Sequence, residues 1–430
     1  MILELTKFVK VLDEKGQLVK ISRPVDPKLE VSTLMRMLDG RVLFFEHVKG
    51  FSVPIIANVC STRDLVATGL GTTRDQLIPR LADAIDHPKK TVTVEADGYE
   101  NIGSDLTKLP ILIHYPKDGG PYISSGVVAC YDKEYGVNLS YHRAEVLGKD
   151  LLVLRILERH FDTYIKRGLK EFALCISSPM QVLVSAAISV DVGVSEVDIA
   201  NSLEETPLVR LDGHLVPPSD IVIIAELTGE MRDEGPFLDL TETFDIIRKQ
   251  RVAKVKKVLV KEGAMYHALL PGGLEHKVLM GMPREPTIFR EVAKVCDAKD
   301  VLVTPGGCSW LHGVVSIHKK NPDDGRKAIE AAFKGHKSMK HVFVVDDDIN
   351  IHDPNEVEWA MATRFQADKN MITKKEKGSS LDPSSDMDTQ MTCKVGFDLT
   401  IPEGGKKEFR RPDLPMKLSV NDYLAAEGRS

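Results

Sequence analysis

The pattern of apolar residues changes twice along this chain of 430 residues, and that change constrains the fold more than any other feature. Residues 1–108 alternate helical and strand patterns, and residues 287–430 return to that alternation. Between them, residues 109–286 contain many short apolar runs separated by glycine, proline and aspartate. Many short strands with close turns are typical of a β-barrel or a sandwich. The sequence therefore predicts an N-terminal α/β lobe, a central β domain and a C-terminal α/β domain.

Individual segments supply the expected elements of these parts. A helix is predicted over residues 8–16, and a helix over 195–203 is expected to interrupt the central strands. In the last part, a helix is predicted over 324–335 and a β-branched strand over 341–346. The polar segment from about Ala367 is expected to be an extended tail that wraps a neighbouring surface or a partner subunit.

Composition and termini exclude several classes of protein. The net charge of −6 gives no clustered basic excess, which argues against nucleic-acid binding. No apolar run approaches the roughly 18 residues that span a bilayer. The first residues lack a signal-peptide core, so we expect a cytoplasmic protein without a membrane span. The six cysteines form no CxxC pair, so neither a zinc site nor a disulfide framework is expected.

A strand that ends in arginine is the first segment with candidate chemistry. In Asn138-Leu-Ser-Tyr-His-Arg143, strand geometry places Asn138, Ser140 and His142 on one face. The asparagine offers a neutral oxygen for a hard cation. An arginine at a strand end can hold a carboxylate through two hydrogen bonds. From these residues alone, a turn asparagine and a surface arginine remain the alternative.

Two carboxylates flank a Gly-Pro turn in Glu234-Gly-Pro-Phe-Leu-Asp239. Such a turn can bring both acids to one point, where mutual repulsion and burial would raise the pKa of one and make it a general acid. The alternative is an acidic surface loop, which the neighbouring Asp233 supports.

A second acidic run, Asp346-Asp-Asp-Ile-Asn-Ile-His-Asp353, has the composition of a divalent-metal site. The favoured interpretation is a strand-to-helix connection in which Asp353 caps the following helix. The functional alternative is a metal hydrolase that uses Asp346 to Asp348 and needs no flavin.

In their order along the chain, these segments resemble the UbiD family of decarboxylases. The matching segments include Leu109-Pro, Asp118-Gly-Gly-Pro-Tyr-Ile, Asn138-x4-Arg143, His160, Glu234-Gly-Pro-Phe, Val314-Val-Ser-Ile and Asp346-Asp-Asp-Ile-Asn. The resemblance implies that the central domain is a split β-barrel similar to flavin reductases. It also implies a prenylated FMN, held through its phosphate by Mn²⁺ or another divalent metal and often by K⁺. A flavin prenyltransferase supplies this cofactor, and members are commonly homodimers or assemblies of dimers.

Carried over by motif position, the resemblance assigns Arg143, Glu234 and Asp239 to catalysis, with Asp239 as the expected proton donor. The implied reaction is the non-oxidative decarboxylation of an α,β-unsaturated or aromatic carboxylic acid, with the flavin as electron sink. A flavin-binding homologue without activity is the alternative from a different class. The three intact residues argue against it.

The resemblance also implies a set of cofactor contacts. Asn138 and His160 match two metal ligands, and the third is expected where Val209 stands, so Glu205 is the nearest substitute. The other residues expected to contact the cofactor are Ser140, Arg143, Arg159 and Lys319. Lys320 is an alternative to Lys319.

The compact chain and its departures from the family pattern resemble those of archaeal members. That group includes a decarboxylase that converts trans-anhydromevalonate 5-phosphate to isopentenyl phosphate in an archaeal mevalonate pathway of isoprenoid biosynthesis. A small, aliphatic, phosphorylated acid is therefore the implied substrate. A 4-hydroxybenzoate-like or polyprenyl-hydroxybenzoate acid is the alternative.

Overall fold

The computed structural model describes residues 5–386 and 388–403, together with residues 409 and 416. In the first part the elements are α1 (Leu5–Glu14), β1 (Leu18–Ile21), α2 (Glu30–Met37), β2 (Val42–Phe45), β3 (Ile55–Ala57), α3 (Arg63–Gly69), α4 (Arg74–Asp86), β4 (Thr93–Glu95), β5 (Tyr99–Asn101) and a 3₁₀ turn at Leu106–Lys108.

The central part is rich in strands, as the sequence predicts. Its elements are β6 (Tyr122–Ile123), β7 (Val127–Asp132), β8 (Gly136–Tyr141), β9 (Ala144–Leu147), β10 (Leu151–Leu154), α5 (His160–Lys166), β11 (Glu171–Ile176), α6 (Met180–Ser185), α7 (Glu196–Leu203), β12 (Leu208–Leu211), β13 (His214–Val216), β14 (Ile221–Glu234), β15 (Phe237–Leu238), β16 (Phe244–Asp245), β17 (Arg248–Lys261), β18 (Tyr266–Ala268), α8 (Leu274–Gly281) and a 3₁₀ turn at Met282–Arg284.

The C-terminal part alternates helices and strands again. Its elements are α9 (Glu285–Ala293), β19 (Asp297–Val303), a 3₁₀ turn at Pro305–Gly307, β20 (His312–His318), α10 (Asp324–Gly335), β21 (His341–Asp346), α11 (Pro354–Arg364), α12 (Ala367–Asn370), β22 (Met371–Lys377) and β23 (Met391–Asp398). The predicted helices over 195–203 and 324–335 and the strand over 341–346 are confirmed, whereas the first helix begins three residues earlier than predicted, at Leu5.

The N-terminal sheet has the strand order β1-β2-β3-β18. Its last strand comes from residues 266–268, so a segment of the central part completes it by pairing in parallel with β3. Helix α1 is amphipathic and buries Leu5, Phe8, Val9 and Leu12, which is the spacing of one helical face. Pairing between strands therefore crosses the boundary that the sequence pattern predicts.

The central sheet has nine strands in the order β6-β9-β10-β17-β14-β11-β7-β8, with β5 paired to β17 off this path. The long strands β14 and β17 form its backbone as an antiparallel pair. The described strands form an open path that does not close on itself, so a mixed α/β fold is confirmed but a closed barrel is not.

The C-terminal sheet has the order β19-β20-β21-β23-β22, with β20, β21 and β23 parallel to one another. The segment after Ala367, predicted to be an extended tail, supplies two of these strands. The prediction missed them because β22 is polar and mostly exposed, so it carries no apolar alternation. Of the remaining tail, residues 404–430 lie outside the described residues, apart from 409 and 416.

One hydrophobic core joins the N-terminal sheet to the central sheet. Phe45 and Ile55 of the first sheet belong to the same buried cluster as Phe172 and Ile223 of the second. A dense shared core of this kind holds the loops at the strand ends in fixed positions. Among the described residues, no helix is long and apolar enough to cross a membrane.

Candidate active site

The three residues predicted for catalysis come from three different strand ends. Arg143 lies in the short turn between β8 and β9, Glu234 is the last residue of β14, and Asp239 directly follows β15. The structure adds a third carboxylate, Asp245, at the end of β16. We call these four residues the Arg143 cluster.

The guanidinium of Arg143 is the centre of this cluster. Its Nε and Nη2 donate to the two carboxylate oxygens of Glu234, each at 2.9 Å. Its Nη1 donates to Asp239 Oδ2 at 2.5 Å, and Nη2 also donates to Asp245 Oδ2 at 3.0 Å. The carbon of the guanidinium lies 4.6 Å from the centroid of the Phe237 ring. The two acids predicted to repel one another are thus bridged by the arginine between them.

Two glycine-containing turns build this arrangement. Gly235 has a φ of 104°, a conformation that side chains other than glycine rarely adopt. Gly119, in the predicted Asp118-Gly-Gly turn, donates its N–H to the Pro236 carbonyl at 2.8 Å. A Cβ on Gly119 would lie 2.6 Å from the Gly235 carbonyl oxygen, so only glycine allows the two turns to approach this closely.

A buried tyrosine and a further acid support Glu234. The Tyr122 hydroxyl lies 3.0 Å from Glu234 Oε1 and 3.1 Å from Glu145 Oε2, so its single proton is shared between two carboxyl groups. Burial, together with the charges of these two acids, raises the pKa of Tyr122. Burial, with a smaller contribution from the charge of Glu234, raises the pKa of Glu145. Both pKa shifts favour the uncharged forms of Tyr122 and Glu145 beside Glu234.

Two further arginines balance the charges of the Arg143 cluster. Arg248 forms an ion pair with Asp245, and Arg155 Nε lies 4.0 Å from the same carboxylate. Three guanidinium groups therefore face three carboxylates. Burial disfavours the charged form of Arg143, but the hydrogen bonds and charges of the carboxylates outweigh burial and raise its pKa. Burial likewise opposes ionisation of Asp245, but the two arginines that contact it prevail and lower its pKa.

The charge of Asp239 acts on a half-buried histidine of α8, His276. The Nδ1 atom of His276 accepts the N–H of Gly272 at 3.1 Å, so the neutral ring carries its proton on Nε2. Burial lowers the pKa of His276, even though the charge of Asp239 opposes the shift. A neutral imidazole is thus available beside the most exposed acid of the cluster.

A second polar set surrounds Asn138 of β8. Asn138 Nδ2 donates to both carboxylate oxygens of Glu196 at 3.1 Å, and the Leu139 N–H donates to Glu196 Oε2 at 3.0 Å. His160, the first residue of α5, places its Nδ1 3.7 Å from Glu196 Oε1. We call Asn138, His160 and Glu196 the Asn138 set.

The residue types of the Asn138 set are suitable ligands for a divalent metal ion. The carboxylate of Glu196 is buried, and among the described residues no lysine or arginine pairs with it. A buried carboxylate without a cation is unfavourable, so a bound metal ion would stabilise Glu196. Amide oxygen, imidazole nitrogen and carboxylate oxygen are ligands that Mn²⁺ accepts.

Of the other residues predicted to contact the cofactor or metal, Ser140 and Arg159 adjoin the Asn138 set, whereas Glu205 does not. Ser140 donates its hydroxyl to Asn138 Oδ1 at 3.2 Å, and Arg159 directly precedes His160 as the residue before α5. Glu205, the predicted third metal ligand, is instead exposed between α7 and β12. The carboxylate that contacts Asn138 and His160 is Glu196.

Lys319 is also not brought to the Asn138 set. Its ammonium donates to the Thr400 hydroxyl and the Ile401 carbonyl, both at 3.1 Å, within the C-terminal part. Val209, at the position where an acid was expected, is a buried member of β12.

The acidic run at Asp346 forms a connection between elements. The Asp353 side chain accepts the Asn355 N–H and caps α11, as predicted. Asp348 pairs with Arg364 at 2.6 Å, and Asp346 accepts the Ile401 N–H at 2.6 Å. Within the described residues, no group of three or more His, Cys, Asp or Glu side chains is arranged to hold a metal. The Asn138 set differs from such a group because one of its three members is an amide.

Sequence reasoning missed Glu196, Asp245 and His276. Glu196 opens a predicted helix, where an acidic residue is ordinarily explained by the positive end of the helix dipole. Its contact with Asn138 spans 58 positions of sequence, so no local pattern carries it. Asp245 and His276 lie in segments with no recognisable motif.

Three family models match the chain in succession. They are described as the N-terminal domain of 3-octaprenyl-4-hydroxybenzoate carboxy-lyase over residues 9–85, its Rift-related domain over 87–274 and its C-terminal domain over 277–399. The chain therefore belongs to the UbiD family of carboxy-lyases.

Particular relatives sharpen this assignment. The anhydromevalonate phosphate decarboxylase of Methanocaldococcus jannaschii is 42% identical over 91% of this chain and 96% of its own length. The protein of the same name from Methanothermobacter thermautotrophicus is 37% identical over 93% of this chain and 98% of its own length.

Solved structures agree with the family assignment. The UbiD-class enzyme HmfF from Pelotomaculum thermopropionicum, solved in complex with FMN, aligns with a TM-score of 0.93 at 34% identity over 98% of this chain and 100% of its own. An evolved dimeric form of HmfF, solved with prFMN, aligns with a TM-score of 0.89 at 32% identity over the same shares. Flavin complexes of neighbours this similar support a flavin cofactor.

Proposed function

We propose that this chain decarboxylates trans-anhydromevalonate 5-phosphate, releasing CO₂ and isopentenyl phosphate with the uptake of one proton. The reaction type is supported by one observation above all: Arg143 is shared between Glu234 and Asp239 in a partly enclosed, charge-balanced cluster. The substrate is supported by the archaeal relatives that carry the name anhydromevalonate phosphate decarboxylase.

The charge balance and exposure of the Arg143 cluster support Asp239 as the proton donor. A substrate carboxylate would add one negative charge to three carboxylates and three guanidiniums, and a proton on one acid restores the balance. The side chain of Asp239 is 17% exposed, against 0% for Glu234 and 11% for Asp245, so Asp239 is the acid that a substrate reaches most easily. Protonated Asp239 then delivers its proton to the carbon that has lost CO₂.

The other residues of the cluster position the substrate and the acid. Arg143 receives the substrate carboxylate and stabilises Asp239 once it is ionised. Glu234 is fully buried and holds the guanidinium of Arg143 through two hydrogen bonds, so it fixes the direction in which Arg143 points. Prenylated FMN, when bound, supplies the electron sink for the carbon–carbon bond cleavage.

The Asn138 set would hold a divalent metal, most suitably Mn²⁺, that binds the phosphate of the flavin. Glu196 supplies the anionic ligand in place of the predicted Glu205, while Asn138 and His160 supply the neutral ones. Ser140 and Arg159 adjoin the set. Both are further candidates for contact with the phosphate, and the Ser140 hydroxyl is also a candidate for contact with K⁺.

The proposed setting follows from the family. A flavin prenyltransferase supplies the modified cofactor, and the enzyme acts in the cytoplasm as a homodimer or an assembly of dimers. The evolved dimeric form of HmfF supports this assembly. The reaction would serve isoprenoid biosynthesis through a mevalonate pathway.

A substrate panel tests the proposal. The protein is co-produced with a flavin prenyltransferase, loaded with Mn²⁺ and offered trans-anhydromevalonate 5-phosphate, 4-hydroxybenzoate and 3,4-dihydroxybenzoate in parallel. Isopentenyl phosphate detected by phosphorus NMR, with the aromatic acids unchanged, is the expected result. Turnover of an aromatic acid alone would move the substrate to that class, and no turnover by the flavin-loaded protein would favour a non-catalytic homologue.

A further inference from the structure

Arg284 is a partly buried cation without a counter-ion among the described residues. It ends the 3₁₀ turn between α8 and α9, and its Nε atom is buried with no hydrogen-bond partner. Among the described residues, no carboxylate pairs with its guanidinium. Leaving a buried guanidinium unpaired is unfavourable, so the fold retains this group against a stability penalty.

The charged group that acts on Arg284 is positive, and its other neighbours are neutral. Burial, together with the charge of Arg159, lowers the pKa of Arg284 to about 10, so the side chain remains charged at neutral pH. One face of the guanidinium lies 5.2 Å from the centroid of the Trp310 ring. His336 is uncharged, because burial and the charge of Arg284 lower its pKa to about 3. Arg159 makes one weak contact, to the Ser189 hydroxyl at 3.4 Å.

Arg284 ends the segment that begins against the Asp239 turn. A Cβ on Gly272, just before α8, would lie 3.3 Å from the Asp239 carbonyl oxygen, and Arg284 follows α8 through one 3₁₀ turn. Arg159, whose charge acts on Arg284, directly precedes His160 of the Asn138 set.

The approach of the Trp310 loop depends on a glycine at the end of α8. A Cβ on Gly281 would lie 2.6 Å from the Ser309 carbonyl oxygen, so this position must be glycine for the loop to pack there. The packing brings Trp310 of the C-terminal part against Arg284. The indole then supports the guanidinium from one side and leaves its hydrogen-bonding edge for another partner.

We propose that Arg284 binds the phosphate of the substrate while Arg143 receives its carboxylate. This inference rests on the proposed function and names the residue that would select a phosphorylated acid. A phosphate monoester carries up to two negative charges and matches the planar donor edge of arginine, so it would supply the counter-ion that Arg284 lacks. The phosphate of the flavin is the other possible source of the same chemistry, and the experiments separate the two.

Charge removal at Arg284 tests the assignment in the flavin-loaded, Mn²⁺-loaded enzyme. Arg284→Gln should raise the KM for trans-anhydromevalonate 5-phosphate about 10- to 100-fold, the loss of a charged hydrogen bond, with a smaller change in kcat. Arg284→Lys should recover part of the loss. Turnover of unphosphorylated trans-anhydromevalonate should be equal in the wild type and both variants. An unchanged KM, or loss of bound flavin from Arg284→Gln, would contradict the substrate role.

Anion binding can be tested without turnover. The chain has two tryptophans, so Trp359→Phe leaves Trp310 as the single indole reporter beside Arg284. Titration of this holoenzyme with inorganic phosphate should change the Trp310 emission, and the added Arg284→Gln substitution should abolish the change. If phosphate binds in this way but trans-anhydromevalonate 5-phosphate is not decarboxylated, the anion site stands and the proposed function fails. If phosphate leaves the emission unchanged in both proteins, the anion site itself is wrong.

Discussion

The Arg143 cluster and the Asn138 set differ in how their buried charges are balanced. In the first, Arg143, Arg155 and Arg248 face three carboxylates within hydrogen-bonding or ion-pair distance. In the second, the carboxylate of Glu196 is held by an amide and a backbone N–H, with His160 at 3.7 Å as its nearest potential cation. The charges of the Arg143 cluster are balanced before any ligand binds. The negative charge of Glu196 in the Asn138 set would be balanced by a bound cation.

This difference separates proton transfer from cofactor retention. Groups with internal partners can exchange a proton without losing their positions, which suits an acid that acts in each turnover. Groups without partners gain most from a ligand of opposite charge, which suits retention of a metal and its phosphate. The predictions below test that division.

The largest effect is expected at the proton donor. Asp239→Asn keeps the shape of the side chain but cannot supply the proton, so decarboxylation should fall by about 10²- to 10⁴-fold. Hydrogen–deuterium exchange at the reacting carbon of the product should fall with it, while the flavin absorption and metal content remain as in the wild type. If Asp239→Asn retained turnover, Asp239 would not be the proton donor.

Removal of the unbalanced acid should affect the cofactor. Glu196→Gln should weaken retention of metal about 10- to 100-fold and reduce bound flavin in parallel. Glu205→Gln, at the exposed acid of the next segment, is the matched control and should leave both unchanged. His160→Ala should follow Glu196→Gln. Metal analysis and flavin absorbance after gel filtration measure the effect, and loss of flavin from the Glu205 variant alone would reverse the assignment.

The same two regions should differ in stability when flavin and metal are removed. Glu234→Gln breaks a buried ion pair with Arg143, so the free energy of unfolding should drop by about 2 kcal/mol. Glu196→Gln removes a buried charge that no arginine or lysine balances, so unfolding in urea should be unchanged or shifted to higher denaturant. Equal destabilisation by both substitutions would show that Glu196 has a counter-ion in the metal-free protein.

The smallest effect is a dependence of stability on pH. Burial raises the pKa of Glu145 above its ordinary value of 4.5, so the folded state holds this proton more tightly than the unfolded state. The resulting stability is fully present below pH 4.5 and is lost as the pH rises through the folded-state pKa. Relative to Glu145→Gln, the wild type should therefore become less stable with rising pH in that window. A difference independent of pH would contradict the shift.

The sequence predicted the Arg143 cluster better than the Asn138 set, and the reason is physical. Arg143, Glu234 and Asp239 stand in motifs whose order along the chain is specific, so their convergence could be expected before the fold was known. Glu196 has no such motif. Its role depends on the packing of α7 against β8, and an acid that starts a helix already has a local explanation.

The fold shows the same limit. Segments with clear periodicity, such as 324–335 and 341–346, form the predicted helix and strand. Strand β22 is mostly exposed and polar, and β18 is short, so neither carries a periodic signal and their places depend on partners far away in sequence. Arg284 could not be recognised either, because an unpaired buried charge is a property of its surroundings and not of its sequence.

Decarboxylation of trans-anhydromevalonate 5-phosphate in ²H₂O tests the central claim most directly. The flavin-loaded and Mn²⁺-loaded wild type should release CO₂ and form isopentenyl phosphate with one deuterium at the carbon that carried the carboxylate. The matched Asp239→Asn enzyme, with the same flavin content, should form almost none. Unchanged substrate with the fully loaded wild type, or equal labelled product from both proteins, would contradict the account.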